Sequence, residues 1–250
     1  MEENCLVSII TPMYNAKQYI SETIESVIAQ VYTNWEMIIV DDGSTDESPK
    51  VVQEYAKKDA RIRYYRQQKN GGIAKARNTA IGYARGRYVA FLDSDDLWKP
   101  DKLQKQLVFM EKEGAHFSHT ACGIIDGNGL VTGKVRHVPK TIDYKHLLRG
   151  NGIACLTVVI DRKYIDKIAM PDIPHEDYAM WLDIMKRGEI AWGLDDELAE
   201  YRVAQHSVSN NKLRAAGWTW NIYRHYLQLP IWKAAESFIC YMWKAVVKRV

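Results

Sequence analysis

Three carboxylates fall within four residues at Asp93-Ser94-Asp95-Asp96, directly after the short apolar run Tyr88-Val89-Ala90-Phe91-Leu92. The run reads as a buried strand that delivers the acids at its C-terminal end. Acids this close repel one another, and a divalent cation that also holds a phosphate relieves the repulsion. Helix capping is the alternative, because Asp is a good N-cap and a helical pattern starts near Pro100, but a cap accounts for one Asp and not three. Two further acidic pairs stand at Asp41-Asp42, before Gly43-Ser44-Thr45-Asp46, and at Glu176-Asp177, after Pro174-His175. Turn formation competes as the reading of the first pair, and helix capping as the reading of the second.

The elements that must position these acids follow from periodicity. Residues 5–11 are apolar and β-branched and read as a first strand, with Pro12, Met13, Tyr14 and Asn15 as the loop after it. A helix over 16–30, a strand over 35–40, a strand over 62–65, a helix opened by Asn70-Gly71-Gly72 and stopped by Gly86, and a strand over 88–92 follow. Ser44 and Glu47 have capping-box spacing for the helix that carries Val51, Val52 and Tyr55. Strands alternating with helix-length crossovers imply an α/β fold, a mostly parallel, doubly wound sheet with helices on both faces. Ligands of such sheets bind beyond the C-terminal ends of the strands, where the loops of Tyr14, Asp42 and Asp95 converge.

The second half is less regular. A helix over 101–113, a hairpin of 117–125 and 130–138 about Asp126-Gly127-Asn128-Gly129, a helix over 144–148, a strand over 154–160, helices over 161–168 and 178–187, and a last strand over 199–203 are expected. A polar loop with His206, Ser207 and Ser209 comes next, and Pro230 separates two final helices, 213–229 and 231–248.

Composition narrows the function class. A chain of 250 residues with 47% apolar and 26% charged residues suits a soluble globular protein with a sizeable core. The formal charge of +3 is too small to argue for nucleic acid, and no nucleic-acid-binding signature stands out. The four cysteines are scattered without a Cys-x-x-Cys pair, which fits a reducing cytosol rather than a disulfide framework or zinc site. No signal peptide and no membrane span are expected. Strand one is not followed by the Gly-x-Gly-x-x-Gly of dinucleotide folds, and no P-loop motif occurs. A mononucleotide whose phosphates are held by metal remains.

Four segments together resemble glycosyltransferase family 2: Val7-Ser8-Ile9-Ile10-Thr11-Pro12-Met13-Tyr14-Asn15, Val40-Asp41-Asp42-Gly43-Ser44-Thr45-Asp46, Asn70-Gly71-Gly72-Ile73-Ala74-Lys75-Ala76-Arg77-Asn78 and Phe91-Leu92-Asp93-Ser94-Asp95-Asp96. They stand in that family's order and spacing, and Glu176-Asp177-Tyr178 extends the match. Within the family the chain is similar to bacterial enzymes of surface-polysaccharide assembly, such as teichuronic acid glycosyltransferases. The resemblance implies a single A-type glycosyltransferase domain, with 1–99 as the nucleotide-sugar-binding half, 100–215 as the acceptor-binding half and 216–250 as a helical tail. It implies a nucleotide diphosphate sugar donor, most often UDP-linked, and a glycan or lipid-linked glycan acceptor.

By the same resemblance, the first two loops hold the base, with Tyr14 stacking, Asp42 accepting the uracil imide hydrogen, and Pro12 and Asn15 shaping the site. Local packing of Tyr14 is the competing reading. Gly72, Arg77 and Asn78, at a Gly-opened helix start, are candidates for the nucleotide or its diphosphate. Asp95 is the expected ligand of manganese or magnesium, with Asp93 on the ribose or metal, Ser94 a substrate contact and Asp96 structural. Asp177 is the expected base that takes the acceptor hydroxyl's proton in an inverting transfer, with Glu176 beside it a substrate contact and His175 structural. His206 is a candidate metal or diphosphate contact, a solvent-exposed loop histidine being the alternative. The absence of a Gln-x-x-Arg-Trp motif favours addition of a single sugar over processive synthesis. A sugar-phosphate nucleotidyltransferase would need a Gly-rich, Arg-containing loop after strand one, which is missing. A non-catalytic nucleotide-sugar-binding subunit would not need both acidic centres.

In the last helix Ile231, Ala235, Phe238, Ile239, Met242 and Val246 share a face, with Lys233, Glu236, Lys244 and Lys248 roughly opposite and Trp232, Tyr241 and Trp243 at the flanks. That pattern suits a helix lying in a membrane interface and equally one packed on its own domain. A cytoplasmic protein, with peripheral contact at the inner face of the cell membrane, is the expected location.

Overall fold

A computed structural model describes residues 5–203 and 212–247. Its first half is a parallel β/α alternation: β1 (Val7–Met13), α1 (Ile20–Ile28), β2 (Trp35–Asp41), α2 (Ser48–Lys58), β3 (Ile62–Arg66), α3 (Ile73–Tyr83) and β4 (Tyr88–Phe91). There follow β5 (Leu97–Trp98), α4 (Lys102–Glu113), β6 (Phe117–Asp126), β7 (Val131–Arg136), β8 (Thr141–Ile142), α5 (Tyr144–Leu148), β9 (Val159–Asp161), α6 (Glu176–Lys186) and β10 (Ala191–Val203). The tail is α7 (Lys212–Asn221), a π-helical turn over Ile222–Tyr226, and α8 (Ile231–Val247).

One sheet runs in the order β3-β2-β1-β4-β9-β6-β10-β5, with β7 beside β6 and β8 beside β10. β1 is parallel to β2 and β4, and β2 to β3. β9 runs antiparallel to both β4 and β6, so β6 and its parallel neighbour β10 point the same way as β4. The C-terminal ends of β1, β2, β4, β6 and β10 therefore share one edge, where the site is expected.

The near-continuous apolar runs of β1 and β2 are buried on both faces, as central parallel strands require. Ile10, Ile38 and Phe91 pack with α3, α6 and the tail on one face. Ile9, Met37, Ile39 and Leu92 pack with α1, α2 and α4 on the other. Phe91 and Phe117 meet the buried Trp181 ring of α6 at 5.5 and 5.1 Å, which fixes that helix against the two strands flanking the cleft.

Several boundaries differ from expectation. β1 continues through Pro12 to Met13 instead of stopping at Thr11. Pro12 pairs with Val40 on the β2 side. Its missing N–H faces the β4 side, where the ladder has ended at Ile10–Phe91, so proline costs no ladder bond. The capping box does not form: Ser44 accepts the Asn15 N–H, and the Asp46 carboxylate takes the N–H of Ser48, where α2 begins. Residues 161–168 form no helix. Asp161 ends β9, and its carboxylate accepts the Lys163 N–H and the Arg87 guanidinium, a local turn that competes with helix. Residues 155–157 are a 3₁₀ turn ahead of the short β9. β10 begins eight residues earlier than expected, because its bulge at Leu194–Ala199 and the acids Asp195, Asp196 and Glu197 hide the strand pattern. The expected hairpin about Asp126–Gly129 forms between β6 and β7.

Candidate active site

The first two loops are knitted together. Asn15, at φ +49°, donates its N–H to Ser44 Oγ, and its Oδ1 accepts the N–H groups of Thr45 and Asp46. Its side chain thus ties the first loop to the second, while the neighbouring Tyr14 ring is 50% exposed. Asp41 is fully buried, and its carboxylate accepts the Ser44 N–H and the Tyr64 hydroxyl, each at 2.8 Å. Asp42, also buried, accepts the N–H of Gly71 at 2.7 Å and of Gly72 at 2.8 Å, one on each oxygen. Asp42 therefore closes the glycine loop, and each of its oxygens keeps one further lone pair.

Gly72 starts α3 at φ +92°, a conformation that a side chain resists. One turn on, Arg77 and Asn78 face inward. Asn78 accepts the Met170 N–H at 2.8 Å and donates to the Met170 carbonyl at 2.7 Å, so its amide is spent on holding the segment ahead of α6. Arg77 is 3% exposed. Its guanidinium donates to Asp93 Oδ1 and to Glu176 Oε1, each at 2.5 Å. Both residues, read from sequence as nucleotide contacts, have their polar ends engaged within the protein.

Asp93, Ser94 and Asp95 leave the end of β4 partly exposed. Burial, then the nearby Asp93 charge, raises the Asp95 carboxyl to about 6. Asp96 is turned inward at 2% exposure and accepts the Arg202 N–H at 2.8 Å. Burial and its two acidic neighbours hold Asp96 well above the usual carboxylate range. Arg202, at the end of β10, also donates Nε to the Asp95 carbonyl at 2.7 Å and Nη2 to Glu22 at 2.6 Å. Asp96 and Arg202 thus form the frame that presents Asp95.

On the other side, His175 adopts the left-handed conformation at φ +59° and turns the chain into α6. Strain of this kind persists where packing holds it, and the His175 ring meets Trp218 of α7 edge-on at 5.3 Å. Because α6 starts at Glu176 and not at 178, Glu176 and Asp177 occupy its first turn. Arg77 commits Glu176, whereas the Asp177 carboxylate accepts only the N–H of Tyr178, at 2.6 Å, among the described residues. Burial raises the Asp177 carboxyl, and Asp93 adds to the effect against the pull of Arg77. His206 lies outside the described residues.

The structure therefore brings together Asp93, Arg77, Glu176 and Asp177 as one cluster, with Asp95 beside it and Asp42, Tyr14 and Gly72 at the adjoining loops. Two crowded, partly exposed carboxylates are a hard-oxygen donor set that fits manganese or magnesium, and a cation beside them would relieve the Asp93 charge that, after burial, raises the Asp95 carboxyl. Among the described residues no group of three or more His, Cys, Asp or Glu could hold a metal by itself, so a cation bound here also takes ligands from the substrate or beyond. Sequence reasoning gave Arg202 no role. A lone arginine in the strand that precedes the His206 loop, with three acids to answer, was the available signal.

Comparison with known proteins places the whole chain in a family. The profile of "Glycosyl transferase family 2" matches residues 8–168. The chain is 46% identical over 246 residues to the putative teichuronic acid biosynthesis glycosyltransferase TuaG of Bacillus subtilis, covering 98% of each. It is 40% identical over 230 residues to an Escherichia coli enzyme, the UDP-Glc:alpha-D-GlcNAc-diphosphoundecaprenol beta-1,3-glucosyltransferase WfgD, covering 92% of this chain and 89% of that one. Among solved structures, the mannosyltransferase PcManGT of Pyrobaculum calidifontis, in complex with GDP-Man and Mn2+, shares the fold at a TM-score of 0.68 with 19% identity, over 90% of this chain and 65% of that one. The A-type fold, the ordered motifs and the near full-length relatives lead to one conclusion: this chain is a glycosyltransferase of family 2.

Proposed function

We propose that the protein is an inverting, metal-dependent glycosyltransferase that moves one sugar from a UDP-sugar to a hydroxyl of a lipid-linked glycan precursor in surface-polysaccharide synthesis, at the inner face of the cell membrane. The observation that carries this is the bridge made by Arg77, which sets Asp93 and the Glu176-Asp177 pair on opposite sides of a single guanidinium. Leaving-group chemistry and base chemistry then share one cleft.

Tyr14 and Asp42 bind the base, and the Gly71-Gly72 turn, fixed by Asp42, lets the chain approach the nucleotide closely. Asp95, supported by Asp93, holds manganese or magnesium, which supplies positive charge beside the departing diphosphate. Asp177 accepts the acceptor hydroxyl proton. The acceptor oxygen forms its bond to the anomeric carbon from the face opposite the diphosphate, and the bond from that carbon to phosphate oxygen breaks with its electron pair leaving on the nucleotide. A carboxylate with a raised pKa is the stronger base for this task, and Arg77 keeps Glu176 from competing for it. The UDP donor and lipid-diphosphate acceptor in the name of WfgD support the choice of substrates, and the Mn2+ complex of PcManGT supports the metal.

Incubation with UDP-, GDP- and dTDP-sugars, with manganese or with a chelator, tests this directly. Consumption of a UDP-sugar that stops on chelation, with an acceptor product of inverted anomeric configuration by NMR, is expected. Retention of configuration, or full turnover in chelator, overturns the mechanism.

A further inference from the structure

The last helix shows three faces where the sequence suggested two. Ala234 and Ser237 are buried, and Phe238 meets Trp220 edge-on at 5.3 Å, so one face packs on the protein. Ile231, Trp232, Ile239, Met242 and Trp243 form a second, exposed face, with Trp232, Ile239 and Trp243 at 61, 68 and 71% exposure. Phe238 thus belongs with the buried face and both tryptophans with the exposed apolar one, against expectation. Helical spacing places Lys233 and Glu236 on a polar flank between them. The exposed stripe runs along a helix of 17 residues, and no helix among the described residues is long and apolar enough to cross a membrane.

Charge distribution says what covers the stripe. Residues 212–250 hold four lysines, three arginines and one glutamate, a formal +6 in a chain whose total is +3, so the preceding residues sum to −3. A second copy would bring the same basic tail against this one, whereas an anionic lipid surface attracts the tail and repels the rest. Tryptophans beside a lysine-bearing flank are the side chains that settle at the boundary between headgroups and acyl chains.

We propose that the exposed face of α8 docks in the plane of an anionic lipid surface. The docking deepens the proposed function, since the tail also holds the base side of the site. The Tyr223 hydroxyl lies 3.0 Å from that of Tyr178 in α6, and Trp218 supports His175. The tail that carries α8 thus also braces α6, the helix that carries Asp177 and that a lipid-linked acceptor must reach.

The test is flotation of the full chain, without donor or acceptor, on vesicles of phosphatidylcholine alone and with about a third phosphatidylglycerol. Sedimentation velocity and donor hydrolysis are measured in parallel. The chain is expected to float with the anionic vesicles, less so in high salt, and the double variant Trp232→Ser/Trp243→Ser to partition about tenfold more weakly while staying folded and hydrolysing donor. Failure of the wild-type chain to float overturns the docking, as does unchanged flotation of the double variant. A dimer that the double variant dissociates, with no vesicle binding, assigns the face to a second copy instead. Because donor hydrolysis is read separately, a docking failure leaves the catalytic assignment standing, and a catalytic failure leaves the docking result readable.

Discussion

The two acidic centres that Arg77 separates are built in different ways. Asp93 and Asp95 stand at the open end of a strand, crowded by Asp96, and the only buried cations that touch this cluster are Arg77 and Arg202 among the described residues. Arg202 reaches the backbone of Asp95 and not its carboxylate, so that carboxylate stays short of positive charge. Glu176 and Asp177 stand at a helix N-terminus, where exposed N–H groups favour negative charge, and Arg77 takes up one of the two acids outright. The first centre is under-compensated and suited to a cation with its diphosphate. The second leaves one carboxylate free in a sheltered place and suited to move a proton. In the proposed mechanism, like residues thus take opposite tasks from their surroundings.

Substitutions that act on one centre alone sharpen this contrast. The largest effect outside the base is expected for Asp95→Asn, which keeps shape and removes charge. Transfer should fall about a thousandfold, and metal-dependent tightening of UDP binding, read by calorimetry, should vanish. Next comes Arg77→Gln, which leaves Asp93 and Glu176 facing each other without their cation. It should cost about 3 kcal/mol, or about 8 °C in melting temperature, and Glu176→Gln added to it should restore part of the loss.

A smaller, pH-dependent effect reads the Asp95 centre. In the folded chain Asp95 titrates at about 6, above its ordinary 3.8. Between those values the folded chain holds a proton that the unfolded chain has released, so stability from this group is full at lower pH and is lost as pH rises through about 6. The metal-free wild type should therefore lose stability relative to Asp95→Asn between about pH 4 and pH 7 in thermal melts. Manganese should raise the wild-type melting temperature at neutral pH and leave the variant unmoved. The smallest effect is expected for Lys75→Ala. Its pair with Asp172 is exposed on both sides, so the loss should stay under about 0.5 kcal/mol and activity should stay within about twofold.

The first hundred residues were legible because hydrophobic runs, glycines and acids all point the same way. Continuous apolar strands announced a parallel sheet, and topology then placed Tyr14, Asp42 and Asp95 at one edge. Pro12 was misplaced into a loop, since nothing local tells that its β4 neighbour has already ended. Arg77 and Asn78 were legible as candidates, but their internal partners Glu176 and Met170 were not, because these lie more than ninety residues away. Arg202 was passed over although it is the one arginine of its strand, because the acids it answers lie about a hundred residues upstream. In the second half, β10 was half hidden by its own acidic bulge, and residues 161–168 have helical composition but an Asp-centred turn instead. The tail's amphipathicity was clear, yet only packing shows that Phe238 turns inward while Trp232 and Trp243 face out.

The division of labour across Arg77 is tested most directly by Asp177→Asn, with UDP-sugar affinity and transfer rate measured on the same preparation. Donor binding with manganese should match the wild type within about twofold, while transfer falls about a thousandfold. Transfer at the wild-type rate, or loss of donor binding in step with activity, would contradict the assignment of Asp177 as the base.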